Sequence, residues 1–193
     1  QFNPRKRNLE LRKTWGANEA TKVLIYVGRL AAEKNLTTIF DAYHSAKRIE
    51  PNTKLVLVGD GPLRDELMAE HPEVIFPGFQ KGRELAEHYA SGDIFLFASQ
   101  TETFGNVTLE AMASGLAVVA YPLAAAAELI QSGHNGMLAM DQGGLYFEMA
   151  VQALMNQPML VEKIKLNAAN VGENYSWESI LNQTESSFLD IIE

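Results

Sequence analysis

Two glutamates, an arginine and a lysine carry most of the chemical interest of this chain. Glu102 and Glu110 stand eight residues apart, with Phe104-Gly105 and then Asn106-Val107-Thr108 between them. Gly105 permits backbone geometry and a close approach that a side chain would block. A helix starting near Asn106 to Thr108 has first N–H groups without internal partners, with the positive end of its dipole behind them. That combination is an anion site. Glu110 lies about one turn further along, where it suits neutral hydroxyls such as those of a ribose better than a phosphate. Glu102 lies before the turn, on the other side of the anion site. The order sugar, diphosphate, ribose would be matched by Glu102, helix N-terminus, Glu110. A second cluster, Gly28-Arg29-Leu30 with Glu33-Lys34-Asn35, supplies cations. Arg29 reaches a diphosphate as a bidentate fork and Lys34 as a point charge.

These residues need strand ends to hold them. Apolar runs at Lys22–Leu30, Lys54–Val58, Val74–Phe76, Ile94–Ala98, Leu116–Tyr121 and Gly136–Met140 read as strands. Helical patterns fall between them. A short helix is expected near Asn8–Trp15, and Leu36, Ile39, Phe40, Tyr43 and Ala46 repeat at helical spacing. Further helices are expected at Gly82–Ser91, Thr108–Ser114 and Glu128–Gln131, with Pro62 suiting the first turn of another. The tail reads as helices at Tyr146–Met155, Met159–Val171 and Trp177–Ile192. Strands that alternate with helices and are mostly apolar on both faces predict an α/β fold. The expected form is a single Rossmann-like, doubly wound parallel sheet of about six strands with helices on both faces and a helical C-terminal tail. In such sheets the ligand lies beyond the C-terminal strand ends. That rule selects the loops Gly28–Asn35, Gly59–Leu63, Gly78–Gly82 and Ser99–Thr108.

Composition narrows the partners. The 193 residues are 47% hydrophobic and 21% charged, ordinary for a globular chain. A formal charge of −8 argues against a nucleic-acid surface, which needs many phosphate-neutralising cations. The absence of cysteine excludes disulfides and thiolate metal sites and fits a reducing, cytoplasmic setting. No stretch approaches the ~18–20 apolar residues of a membrane span. The chain opens on Gln1 and reads as a fragment of something longer.

The run from Ser99 to Ala120 resembles the retaining GT-B glycosyltransferases, family 4 in particular. Its pattern is S-x-x-E-x-F-G-x-V-x-L-E-A-M-A-x-G-x-P-V-V-A, with the E-x7-E signature at Glu102 and Glu110. Ala117 stands where that pattern has proline. Gly28-Arg29-Leu30 with Lys34-Asn35 matches G-R-L-x-x-x-K-N, and Gly59-Asp60-Gly61-Pro62 matches G-x-G-P. A dinucleotide glycine fingerprint fails, because Arg64 occupies its third glycine position. The resemblance implies transfer of a hexose from a UDP- or GDP-sugar to an acceptor hydroxyl with retention, and without a metal or other cofactor. Arg29 and Lys34 would neutralise the leaving diphosphate, and Glu102 would face the sugar. Gly28, Gly61, Phe79, Gly105, Asn106, Val107, Thr108 and Glu110 would complete the donor site.

Residues 1–193 would then be one donor-binding lobe. The segment 175–193 would form a terminal helix packing on an N-terminal lobe that holds the acceptor, a glycan or glycolipid. Alone, such a lobe binds donor and transfers poorly. Peripheral membrane association of the longer protein stays open. So do a non-catalytic nucleotide-sugar-binding module and an epimerase or hydrolase on the same fold. Leu123 to Ala127 occupies a segment where many relatives carry Gly-Gly, so a different loop shape is expected there. His134 reads as a surface turn. His44, His71 and His88 read as scattered, and no metal site is expected.

Overall fold

A computed structural model of the chain describes residues 1–101, 105–140 and 143–174, without the side chains of 172–174. The expected helix at Trp177–Ile192 lies outside the described residues. Six strands, β1 (Val23–Val27), β2 (Lys54–Val58), β3 (Ile75–Gly78), β4 (Ile94–Phe97), β5 (Ala117–Ala120) and β6 (Met137–Leu138), form one sheet in the order β3-β2-β1-β4-β5-β6. All five pairings are parallel. Every residue of β1, β4 and β5 is buried, as helices on both faces require.

The helices are α1 (Leu9–Thr14), α2 (Leu36–Ile49), α3 (Arg64–Glu70), α4 (Gly82–Ser91), α5 (Asn106–Ala113), α6 (Ala125–Leu129), α7 (Leu145–Asn156) and α8 (Pro158–Asn174). α2 packs on α7, and α5 packs on α8 and α4, giving the two helical layers. The stripe Leu36, Ile39, Phe40, Tyr43 and Ala46 is buried throughout, as its spacing requires. On α8, Val161, Ile164 and Ala168 do the same.

Three local expectations shift. Glu128–Gln131 is replaced by α6 over Ala125–Leu129, because alanines form a helix without announcing a face. Pro62 precedes the helix instead of opening it: Leu63 is the N-cap of α3. Ala124, which precedes α6, has φ 47° and ψ −133°. The segment therefore keeps a backbone shape suited to glycine while carrying an alanine.

The basic opening segment turns inward. Asn8 caps α1 by accepting from the Leu11 N–H at 3.1 Å. Arg12 is fully buried and donates to the carbonyls of Ser91 (2.6 Å), Asn18 (2.7 Å) and Thr21 (2.6 Å) and to Asp93 Oδ2 (3.2 Å). Arg7 donates to Asp93 Oδ1 at 2.9 Å and to the Gly92 carbonyl at 2.8 Å. Lys165 of α8 lies 3.7 Å from the same carboxylate, which also accepts the Val23 N–H at 2.9 Å. Burial pushes the Asp93 carboxyl up, and the charges of Arg7, Arg12 and Lys165 more than offset it, holding Asp93 below the usual carboxylate range. This clasp joins the N-terminal ends of β1 and β4 to the opening segment and α8.

Candidate functional site

The strand order reverses direction between β1 and β4, and the crevice beyond that switch point is where such sheets bind ligands. A cleft of about 350 Å³ opens there. Val27, Gly28 and Arg29 come from the end of β1, and Val58, Gly59 and Asp60 from the end of β2. Phe79 and Gln80 follow β3, Leu85 belongs to α4, and Val107 and Glu110 belong to α5. All four strand-end loops singled out in the sequence thus meet at one crevice, directly or through the helix that follows.

Two glycines weld the first two loops together. A Cβ on Gly59 would lie 1.9 Å from the Gly28 carbonyl oxygen, and one on Gly61 would lie 2.3 Å from that of Leu30. Backbone bonds complete the joint: Leu30 N–H donates to the Asp60 carbonyl at 2.9 Å and Leu63 N–H to the Leu30 carbonyl at 3.1 Å. Gly61 therefore stands behind the cleft as a spacer and outside its lining. Beneath Gly28, the hydroxyl of buried Tyr26 donates to the Arg29 carbonyl at 2.9 Å.

Arg29 projects outward with its side chain 66% exposed, 3.7 Å from Glu33 across the loop. An exposed pair of this kind is worth little, so the guanidinium can readily exchange partners for an anion. Lys34 ends the 3-10 turn Ala32–Lys34. Asn35 follows in the left-handed region, φ 52° and ψ 48°, and redirects the chain into α2. Asparagine tolerates that conformation better than most side chains.

Gly105, with φ 79°, is the N-cap of α5. Asn106 is exposed, Val107 is half-buried, and Thr108 is fully buried. Here one expectation is corrected. Thr108 does not offer its N–H to a ligand, because the left-handed Gly105 aims its carbonyl at it, 2.9 Å away. The first-turn residues ahead of Thr108 are Asn106 and Val107. Glu102 and Phe104 lie outside the described residues. Lys34, Gly105, Asn106 and Thr108 lie outside the cleft lining, whereas Gly28, Arg29, Phe79, Val107 and Glu110 share it.

Glu110 is half-buried, and burial pushes its carboxyl up, partly relieved by a hydrogen bond from Tyr89. The Tyr89 hydroxyl donates to Glu110 Oε2 at 3.0 Å. Tyr89 is itself buried, so its hydroxyl is pushed well above its usual range, by burial first and then by the glutamate's charge. Tyr89 belongs to α4. Nothing in the helical spacing shows that its hydroxyl reaches a carboxylate on the neighbouring helix. Phe79 is 72% exposed at the mouth of the cleft, an aromatic face without cover. Asp60 and Gln80 line the cleft from within two of the expected loops, and Leu85 lines it from outside all four.

An open parallel sheet of this order, with a cation-bearing loop and a helix N-terminus at its switch point, matches the C-terminal domains of GT-B glycosyltransferases. The family model "Glycosyl transferases group 1" matches residues 21–157, which span every strand of the sheet. The chain belongs to that family. A GDP-mannose-dependent alpha-mannosyltransferase of Corynebacterium glutamicum is 38% identical over 138 residues, covering 72% of this chain and 32% of that protein. The N-acetyl-alpha-D-glucosaminyl L-malate synthase of Bacillus anthracis is 32% identical over 193 residues, covering 95% of this chain and 49% of that protein. The chain thus spans about a third to about a half of the length of these relatives. The crystal structure of the C-terminal domain of the group 1 glycosyl transferase LpcC from Francisella tularensis has TM-score 0.77 at 25% identity, covering 90% of this chain and 95% of that one. The Anabaena protein HepE in complex with UDP shares the fold, with TM-score 0.80 at 23% identity over 98% of this chain and 55% of that one.

Proposed function

We propose that this chain is the donor-binding domain of a family 4-like retaining hexosyltransferase, taking a UDP- or GDP-sugar. The observation that carries the reading is the sharing of one switch-point cleft by Arg29 and Glu110, a cation and a hydroxyl acceptor. The diphosphate lies toward Arg29, Lys34 and the N-terminus of α5. The ribose meets the Glu110 carboxylate, which is already oriented by Tyr89. Phe79 and the backbone beside it meet the base. Support comes from the C. glutamicum relative, whose name specifies GDP-mannose, and from the UDP bound by HepE.

In the whole enzyme the sugar–phosphate bond breaks, and the departing diphosphate gathers negative charge. Arg29, Lys34 and the first-turn N–H groups stabilise that charge. They are preorganised in a site that needs no divalent metal for the task. One preorganised donor of this general kind is worth about 2.7–4 kcal/mol in other enzymes. The E-x7-E signature assigns Glu102 to the transferred sugar. The acceptor, a glycan or glycolipid, is held by a further lobe. A cytoplasmic setting, where such donors are made, goes with this reading. Calorimetry with UDP and GDP on Arg29→Ala/Lys34→Ala against the unaltered chain tests it. The double variant should lose at least ~100-fold in affinity, since two charge-assisted contacts disappear. Equal affinity overturns the assignment.

A further inference from the structure

The sequence scatters its histidines, but the fold gathers two of them. His44 lies on α2, His71 is the C-cap of α3, and Glu73 follows in the turn before β3. One ligand atom from each lies within 4.8 Å of the other two. The expectation of unclustered histidines fails because α2 and α3 flank the same strand, β2, far apart in the chain.

Each member is held by a different constraint. The His71 ring stacks on Phe40 with centroids 3.8 Å apart and planes 11° from parallel. Its backbone N–H donates to the Leu67 carbonyl at 2.9 Å, and its carbonyl accepts the Val74 N–H at 3.0 Å, which closes the turn carrying Glu73. His44 Nε2 stands 3.7 Å from Glu73 Oε1, and both side chains are partly exposed. The three therefore comprise one fixed ligand and two that can rotate.

The surroundings favour a cation. A cavity of about 390 Å³ runs from Asn35 to His44 and His71 between α2 and α3. Asp41, Glu66 and Glu70 line it, and its lining includes neither lysine nor arginine. A lone histidine pair on a surface is usually without function. Two imidazoles and a carboxylate on a rigid turn, beside an acid-lined cavity, form a set suited to a borderline metal ion.

We infer that His44, His71 and Glu73 bind one divalent transition-metal ion, of the zinc class, with water completing its shell. Imidazole nitrogen and carboxylate oxygen select this class over magnesium or calcium, which take oxygen ligands. Tetrahedral zinc with bonds of about 2.0–2.2 Å needs ligand atoms roughly 3.4 Å apart. Side-chain rotation of His44 and Glu73 closes the remaining gap toward His71. The ion ties α2 to the turn ahead of β3, and its binding is independent of the donor site.

The test is zinc titration of the tag-free 193-residue chain by calorimetry, with cobalt absorption as the reporter of ligand geometry. Equimolar binding is expected, with cobalt bands typical of a four-coordinate nitrogen and oxygen site. Glu73→Gln keeps the size of an exposed side chain, and His71→Phe keeps the stack on Phe40 while removing the ligand. Each should weaken zinc binding by roughly tenfold or more. His134→Ala, in an exposed turn elsewhere, should bind as the unaltered chain does. Absence of zinc binding by the unaltered chain, or undiminished binding in Glu73→Gln and His71→Phe, overturns the inference.

Discussion

The hydroxyl of Tyr89 donates to Glu110 Oε2 at 3.0 Å, so a buried tyrosine on α4 orients the carboxylate that α5 presents to the cleft. Tyr89→Phe removes that donor without changing the packed ring. A neutral hydrogen bond contributes about 0.5–1.5 kcal/mol and one to an ionised group about 1.5–3 kcal/mol. Ribonucleoside diphosphate affinity should fall by roughly 2- to 160-fold, the span of those energies, while a 2′,3′-dideoxy analogue should be nearly unaffected. Equal losses for both ligands would mean that the phenylalanine disturbs the fold and not the carboxylate.

Glu110 also sets two demands against each other. Its folded carboxyl is raised, so its contribution to stability is full below the ordinary glutamate value and lost as pH rises through the raised one. Near neutrality the charge is held at a cost to the fold. Glu110→Gln should therefore raise the melting temperature of the ligand-free chain and weaken nucleotide binding. A calorimetric scan paired with a titration reads both. A lower melting temperature would contradict the raised carboxyl.

Asp93 has the opposite sign. Despite its burial, its pKa is depressed by Arg7, Arg12 and Lys165. The stability it contributes is present above the ordinary aspartate value and lost as pH falls through the depressed one. Urea unfolding across the acid range should show this loss, and Asp93→Asn should flatten that part of the profile. Asp93→Ala strands Arg12 without its counter-charge and should cost about 3–5 kcal/mol at neutral pH.

Ala124 holds φ 47° and ψ −133°, where glycine rests without strain. Relieving such a site recovers on the order of 1 kcal/mol. Ala124→Gly should then melt roughly 2–4 °C higher. No gain in stability would show that the loop is held for other reasons.

Gly59→Ala should behave very differently. Its Cβ would meet a backbone carbonyl oxygen at 1.9 Å, and no side chain can step aside. The expected cost is about 3 kcal/mol or more, with loss of nucleotide binding because the two loops part. Native stability with intact binding would contradict the welded joint.

These particulars show which parts of the molecule are legible in sequence. β2 is observed over Lys54–Val58 and α4 over Gly82–Ser91, as read, because apolar content and the flanking glycines agree there. The alanine-rich α6 and the two-residue edge strand β6 are misplaced or overlong in the reading, since neither carries a periodic signal. The cleft loops follow from strand order alone. What stays hidden are pairings between distant side chains: Tyr89 with Glu110, Arg12 with Asp93, His44 with His71. Each depends on which helices the fold lays side by side, and no spacing along the chain encodes that.

The Asp93 clasp lies at one end of the strands and the cleft at the other. Between them runs a sheet whose central strands are wholly buried. Substitutions in the four upper loops leave the lower charges untouched, so the ligand can change while the frame that holds it persists. Grafting those loops between relatives with different donors is then an exchange of parts on a common chassis. The welded glycines mark the limit: the first two loops must travel together.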